Sequence, residues 1–153
     1  MDYVENAFTV AAGQATEIDA GVTEVFEYAL RADANNQLVQ ALVSNKDTGV
    51  TVNTETLNVR LQKLDAATNV QVSIMSKGRP IVVVQDRAGN YHVVGMDEGL
   101  DLTASNIATG AQREDFSGYD LTFTGKREDA CPILDSTTVT ALLALVSNTN
   151  IDP

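Results

Sequence analysis

Tryptophan is absent from this chain, cysteine and histidine occur once each, and proline occurs three times. With Cys131 alone no disulfide can form within the chain, so the fold stands without covalent staples and suits a reducing compartment. With His92 alone a metal centre built on histidines is excluded, and a Ser-His-Asp arrangement would depend on that one residue. Bases are scarce, ten against 21 acids, for a net charge of -11. Such a chain is no grip for nucleic acid, because phosphate binding needs concentrated Lys and Arg. No segment approaches the ~18 apolar residues of a membrane-spanning helix. The opening Met-Asp-Tyr-Val-Glu lacks the basic region and apolar run of a signal peptide.

What is present is enough for one ordinary domain over residues 1–153. With few aromatics, its core rests on Val, Leu, Ile and Ala. The charge is uneven. Residues 1–45 carry seven acids against Arg31, residues 46–95 carry four acids and six bases, and residues 96–153 carry ten acids and three bases. An acidic surface keeps a protein soluble, and it also suits a wall that DNA must pass without sticking.

The chain divides into an N-terminal arm (1–21), a β-rich core (22–130) and a C-terminal arm or helix (131–153). Residues 22–30 are rich in β-branched and aromatic types and read as a strand. Residues 37–44 give a weaker strand whose spacing also fits a helical turn. In residues 50–64, Leu57, Val59 and Leu61 alternate with Asn58, Arg60 and Gln62, a strand with one wet face. Asp65 is a good helix cap, and Lys77-Gly78 suits a helix end, so a short helix is expected over 66–76. Residues 80–86 and 91–96 form a hairpin, with Gly89 supplying the positive φ of its turn. Ile81-Val82-Val83-Val84 is apolar on both faces, which requires cover on both sides, the second from this chain or another subunit. Residues 104–117 read as a loop. Tyr119, Leu121 and Phe123 alternate with Asp120, Thr122 and Thr124 in a clear strand. Ser136 to Ile151 carries no charge; residues 136–147 fit an apolar helix capped by Asp135 or Ser136, or an extended arm.

Motifs that carry chemistry are few. His92 at the start of a strand reads as structural. Cys131 lies beside Pro132 and near Glu128 and Asp129, where acids disfavour the thiolate; it reads as a small apolar filler. Asp97, Glu98 and Asp101 are dense in carboxylate but lack the spacing of a calcium loop, so no metal is expected there. Gly118 and Gly125-Lys126 are too far apart for a phosphate loop and lie on a strand. No cofactor and no catalytic residue is expected.

Three segments come in a characteristic order: TETLNVRLQKLDAATN (54–69), RPIVVVQDRAGNYHVVGMDEGLDL (79–102) and ATGAQREDFSGYDLTFTGKRE (108–128). The Gln-Asp-x-x-Gly-x-Tyr hairpin tip, the Gly-x-x-x-Gly-Leu step from Gly95 to Leu100 and the Gly-Tyr-x-Leu-Thr-Phe-Thr-Gly strand carry the likeness. Over residues 50–130 this resembles small virion proteins of the tail or neck of tailed bacteriophages and prophages of Bacteroidetes-type hosts. The resemblance implies a non-enzymatic structural protein without a cofactor, located in the virion after assembly in the host cytoplasm.

The expectation is therefore a mainly β (α+β) domain, an antiparallel sandwich or barrel, repeated as a ring or tube that passes genomic DNA. Its partners would be copies of itself and neighbouring virion proteins. A capsid decoration protein and a non-catalytic sandwich binding module are the alternatives. Phe8, Val10, Val139, Leu142, Leu143 and Leu145 are candidate interface residues, because so much apolar surface near both ends is costly to leave in water. Candidates for an acidic lumen are Glu17, Asp19, Glu24, Glu27, Asp97, Glu98, Asp101, Glu114, Asp115 and Asp120.

Overall fold

A computed structural model describes residues 7–31, 34–62 and 64–146. Residues 1–6 of the expected N-terminal arm, residues 32 and 33, Lys63, and residues 147–153 lie outside the described residues. The chain is mainly β, with two sheets packed against each other and two helices.

Strands β1 (Phe8–Ala11), β2 (Gln14–Ile18), β3 (Gln37–Asn45) and β4 (Val50–Gln62) precede helix α1 (Ala66–Lys77). There follow β5 (Val82–Gln85), β6 (Tyr91–Val94), β7 (Asp101–Ala108), β8 (Gly118–Arg127), β9 (Ile133–Leu134) and helix α2 (Ser136–Ala144). One sheet has four strands in the order β3-β4-β8-β7, all antiparallel. The other has five, β1-β2-β9-β6-β5.

The period-two strands dictate how the sheets meet. Leu57 stands opposite Phe123, Val59 opposite Leu121 and Leu61 opposite Tyr119, so β4 and β8 turn one apolar face inward. That face meets Val94 of β6 and Val82 and Val84 of β5, with Val72 of α1 closing one end. Val93, Val83 and Ile81 point the other way, into a second core with Phe8, Ala15, Leu134 and Leu142. Each fully buried Leu or Phe contributes about 1.5–3 kcal/mol, so these two clusters dominate stability.

The hairpin over β5 and β6 is antiparallel, pairing Val82 with Val94 and Gln85 with Tyr91. Gly89 sits at its turn with φ 90°. Asp86 organises the turn: it accepts from the Asn90 backbone N–H (2.9 Å) and side chain (3.1 Å), and contacts His92 Nε2 at 3.2 Å. Those bonds, the Asn90 N–H first, hold the Asp86 carboxyl down to about 2.

Several sequence expectations need correction. Residues 22–30 are not a continuous strand; apart from isolated bridges at Val25, which pairs with Val146, and at Tyr28, they run irregularly beside the sandwich. Their β-branched and aromatic content reflects apolar burial rather than sheet pairing. The expected loop 104–117 contains most of β7, which was hidden because an edge strand wet on both faces shows no alternation. The 81–84 run is covered on both sides by its own chain, by one core on each face. Helix α1 follows Asp65, but that carboxylate makes no capping bond. Tyr119 Oη instead donates to the Asp65 carbonyl (3.1 Å) and to Asn69 Oδ1 (2.6 Å). The ambiguous 136–147 segment is helical over α2, capped by Asp135 Oδ1, which accepts from the Thr138 N–H at 2.7 Å.

Candidate assembly surface

Four features merit attention as sites: a buried polar cluster, an apolar cavity, the acidic residues, and the edges of the four-stranded sheet.

The polar cluster stands where β4 faces β8 and β9. Glu55 is 1% exposed. Its Oε2 accepts from the Gly95 N–H (2.8 Å) and its Oε1 accepts from the Cys131 thiol (3.2 Å). Burial, reinforced by Glu55, pushes the Cys131 thiol far up, so it remains protonated. Asn53 donates to Gln40 Oε1 and to the Asp129 carbonyl, and the Cys131 N–H donates to the same Gln40 oxygen. A thiol so held is no nucleophile. The cluster ties β3, β4 and the segment before β9 together.

A cavity of about 490 Å³ opens between the sheets. Leu57, Leu121 and Phe123 form its floor, Val82–Val84 one wall, and Val25–Leu30 its cover. Among its described lining residues Glu27 is the one charged group. Burial raises the pKa of the Tyr28 hydroxyl, which also lines it. The space is mostly apolar, with no nucleophile–base pair among its described lining residues.

The acids do not converge. Glu17 lies on β2 and Asp19 just beyond it, while Glu24 and Glu27 are in the irregular segment. Asp97 and Glu98 precede β7, whereas Glu114 and Asp115 follow it, so the two groups are about 25 Å apart at ~3.4 Å per strand residue. Asp97 pairs with Arg127 (3.2 Å), Asp101 with Arg79 (3.7 Å) and Asp120 with Arg60 (3.0 Å). The expected acidic lumen is thus not a single surface. Asp115 is engaged locally, accepting from the Ala111 and Gln112 N–H groups, which lower its pKa.

The terminal interface candidates also need correction. Phe8 and Leu142 are in the protein's own second core, and Val10, Val139 and Leu145 pack against it. They are used internally because β1 and β2 form a hairpin that joins the five-stranded sheet and α2 lies against β2. Leu143 alone of the six stays exposed, at 48%.

No known protein family, curated protein or solved structure matches the chain. The surface itself must therefore carry the reading. Nine large apolar side chains are exposed among the described residues, and seven of them flank the two edges of the four-stranded sheet. Val39, Leu42 (65% exposed), Val43 (64%) and Val50 belong to the β3–β4 hairpin. Ile107 is on β7, and Val70 and Ile74 are on α1, which packs beside β7. The β3 edge lacks the usual guards, whereas β7 carries a bulge between Leu102 and Ala104 and has α1 beside it. β3 contains no charge and no proline, and the one charge of β7 is Asp101 at its end. Sequence reasoning gave β3 as the weaker strand over 37–44 and read most of β7 as loop, and it assigned neither to an interface; the absence of Lys and Pro from two polar-apolar mixtures was the available signal.

Proposed function

We propose that this chain is a structural subunit of a tailed-bacteriophage particle, closing with copies of itself into a ring of the tail or neck that passes genomic DNA. The observation that carries this reading is the pair of edge strands, β3 and β7, on opposite sides of one sheet, with seven exposed large apolar side chains flanking them and neither charge nor proline on β3. An unpaired edge offers a row of free backbone donors and acceptors, and proteins normally block such rows.

The strand count supports head-to-tail pairing. In an antiparallel sheet of four strands the two edge strands run in opposite directions. When β3 of one copy meets β7 of the next, the alternation continues unbroken. Such a contact is heterologous, so it closes into a ring when the rotation between copies permits. The edges are also staggered. Gln37 is level with Thr122, and Val39 with Thr124, which Asp101 also faces. From that level β3 continues toward the hairpin tip while β7 continues the opposite way. Full pairing therefore requires a step along the strands, and this tilts them to the ring axis as barrel closure demands. Covering each half-exposed Val, Leu or Ile at the seam adds about 1 kcal/mol.

The resemblance of residues 50–130 to tail and neck proteins points the same way, and the mechanism is passive. Analytical ultracentrifugation over a concentration series tests the assembly. A monomer giving way to one discrete closed oligomer supports the reading; a monomer at every concentration and salt condition contradicts it.

A further inference from the structure

We infer that the cavity between the two sheets is a binding site for one uncharged, largely apolar molecule that carries a hydrogen-bonding oxygen. The site is built from a single copy and stands apart from the ring reading.

Strand order explains why the space exists. β5 is an edge strand of the five-stranded sheet, and its run of valines is apolar on both faces yet only partly buried. Beyond it, in place of a further strand, runs the irregular segment Val25–Leu30. Irregular chain does not set its side chains at the regular spacing of a strand. Room is therefore left between this cover, β5 and the Leu57, Leu121 and Phe123 face of the other sheet, and it amounts to about 490 Å³.

Size and chemistry select the occupant. Small-molecule sites are mostly apolar hollows of about 300–1,000 Å³ with a few placed polar groups. At ~30 Å³ for each water-sized unit, this one takes a molecule of about 16 non-hydrogen atoms. Water is a poor filling, because a buried water needs several polar partners and aliphatic walls supply none. Much smaller apolar cavities stay dry and take up benzene. Polar groups are few here: Tyr28 and Tyr91 bring hydroxyls and Gln85 an amide. Burial raises the pKa of the Tyr28 hydroxyl, so it stays a donor. These groups suit the oxygen of an alcohol, ketone or phenol. A carboxylate or phosphate headgroup is disfavoured: Glu27, the one charged group among the described lining residues, repels it, and no cation of the lining meets it. Entry is through the cover, which is held by isolated bridges at Val25 and Tyr28 and moves without breaking a strand ladder.

The test begins with a fluorescence titration by N-phenylnaphthylamine, an uncharged probe of this size that brightens in apolar surroundings. Saturable binding of one molecule per chain at micromolar concentration is expected. The anionic anilinonaphthalene sulfonate should bind at least tenfold more weakly. Ala29→Phe, which adds a ring to the lining, should weaken the neutral probe at least tenfold while circular dichroism shows the native fold. Methyl NMR of the unsubstituted protein with decanol supplies a readout that needs no variant to fold. Its shifts should centre on Leu57, Val82, Val84 and Leu121. Shifts centred instead on the exposed Leu42, Val43 and Val70 would place binding on the surface and overturn the inference. Absence of saturable binding by the neutral probe, equal binding of the anionic probe, or full affinity in folded Ala29→Phe would overturn it as well. None of these readouts requires assembly, so a failure of the ring reading leaves them unchanged.

Discussion

The Gly-x-x-x-Gly-Leu step from Gly95 to Leu100 can be tested against the hairpin turn at Gly89, because the two positions separate backbone strain from close packing. Gly89 and Gly99 both have positive φ, 90° and 76°. A Cβ on Gly89 would meet nothing within 4 Å, but one on Gly99 would stand 2.6 Å from Arg79 Cβ and 2.8 Å from the Arg79 carbonyl oxygen. That contact joins the start of β7 to the start of β5, where the Leu100 N–H donates to the Pro80 carbonyl at 2.9 Å. Alanine at positive φ costs about 1–2 kcal/mol. Forcing a methyl into packed backbone adds about 1–3 kcal/mol. Gly89→Ala should therefore lose about 1 kcal/mol, and Gly99→Ala about 3 kcal/mol. Urea denaturation followed by circular dichroism measures both, with an unchanged slope showing that stability alone has moved. Equal losses, or a larger loss at Gly89, would refute the claim that close approach of Arg79 demands glycine at 99.

Val43→Lys, at an exposed edge position, should change unfolding free energy by less than about 0.5 kcal/mol and weaken subunit association by roughly tenfold or more, read by sedimentation; unaltered association would remove β3 from the seam. Cys131 should resist an aromatic disulfide reagent at pH 8 in the native state and react fully once unfolded, since burial and Glu55 keep it protonated; rapid native reaction would contradict the buried cluster. Asp86 has its carboxyl lowered in the fold, so its contribution is present above the ordinary carboxylate range and is lost as pH falls toward about 2. Amide exchange at Asn90 should accordingly show less protection as pH drops through that window, after correction for intrinsic exchange, and unchanged protection would show that Asp86 does not hold the turn.

Much of the fold was legible because half-buried strands announce themselves. Leu57, Val59 and Leu61, and Tyr119, Leu121 and Phe123, alternate because one face is wet, and these stretches became the two central strands. The β5–β6 hairpin was legible from its β-branched runs and turn residues, and α1 from its boundaries, although the Asp65 carboxylate plays no capping role. Legibility failed where burial does not alternate. β7 reads Asp-Leu-Thr-Ala-Ser-Asn-Ile-Ala and is wet on both faces, while Val22 to Leu30 is apolar without joining a sheet. The candidate site suffered for the same reason. Sequence drew attention to apolar termini and clustered acids, yet Phe8 and Leu142 serve the core and the acids scatter over β2, the irregular segment, β8 and the two ends of β7. The proposed seam draws on side chains from residues 39–50, 70–74 and 107, and only the sheet order brings them to two edges.

The central claim is that β3 of one copy continues into β7 of the next. Electron cryo-microscopy of the assembled protein at side-chain resolution tests it most directly. The account predicts a closed ring in which Gln37–Asn45 of each subunit lies antiparallel to Asp101–Ala108 of its neighbour, forming one continuous sheet. A ring whose subunits meet through the five-stranded sheet or through α2, with β3 and β7 both left in solvent, would contradict it.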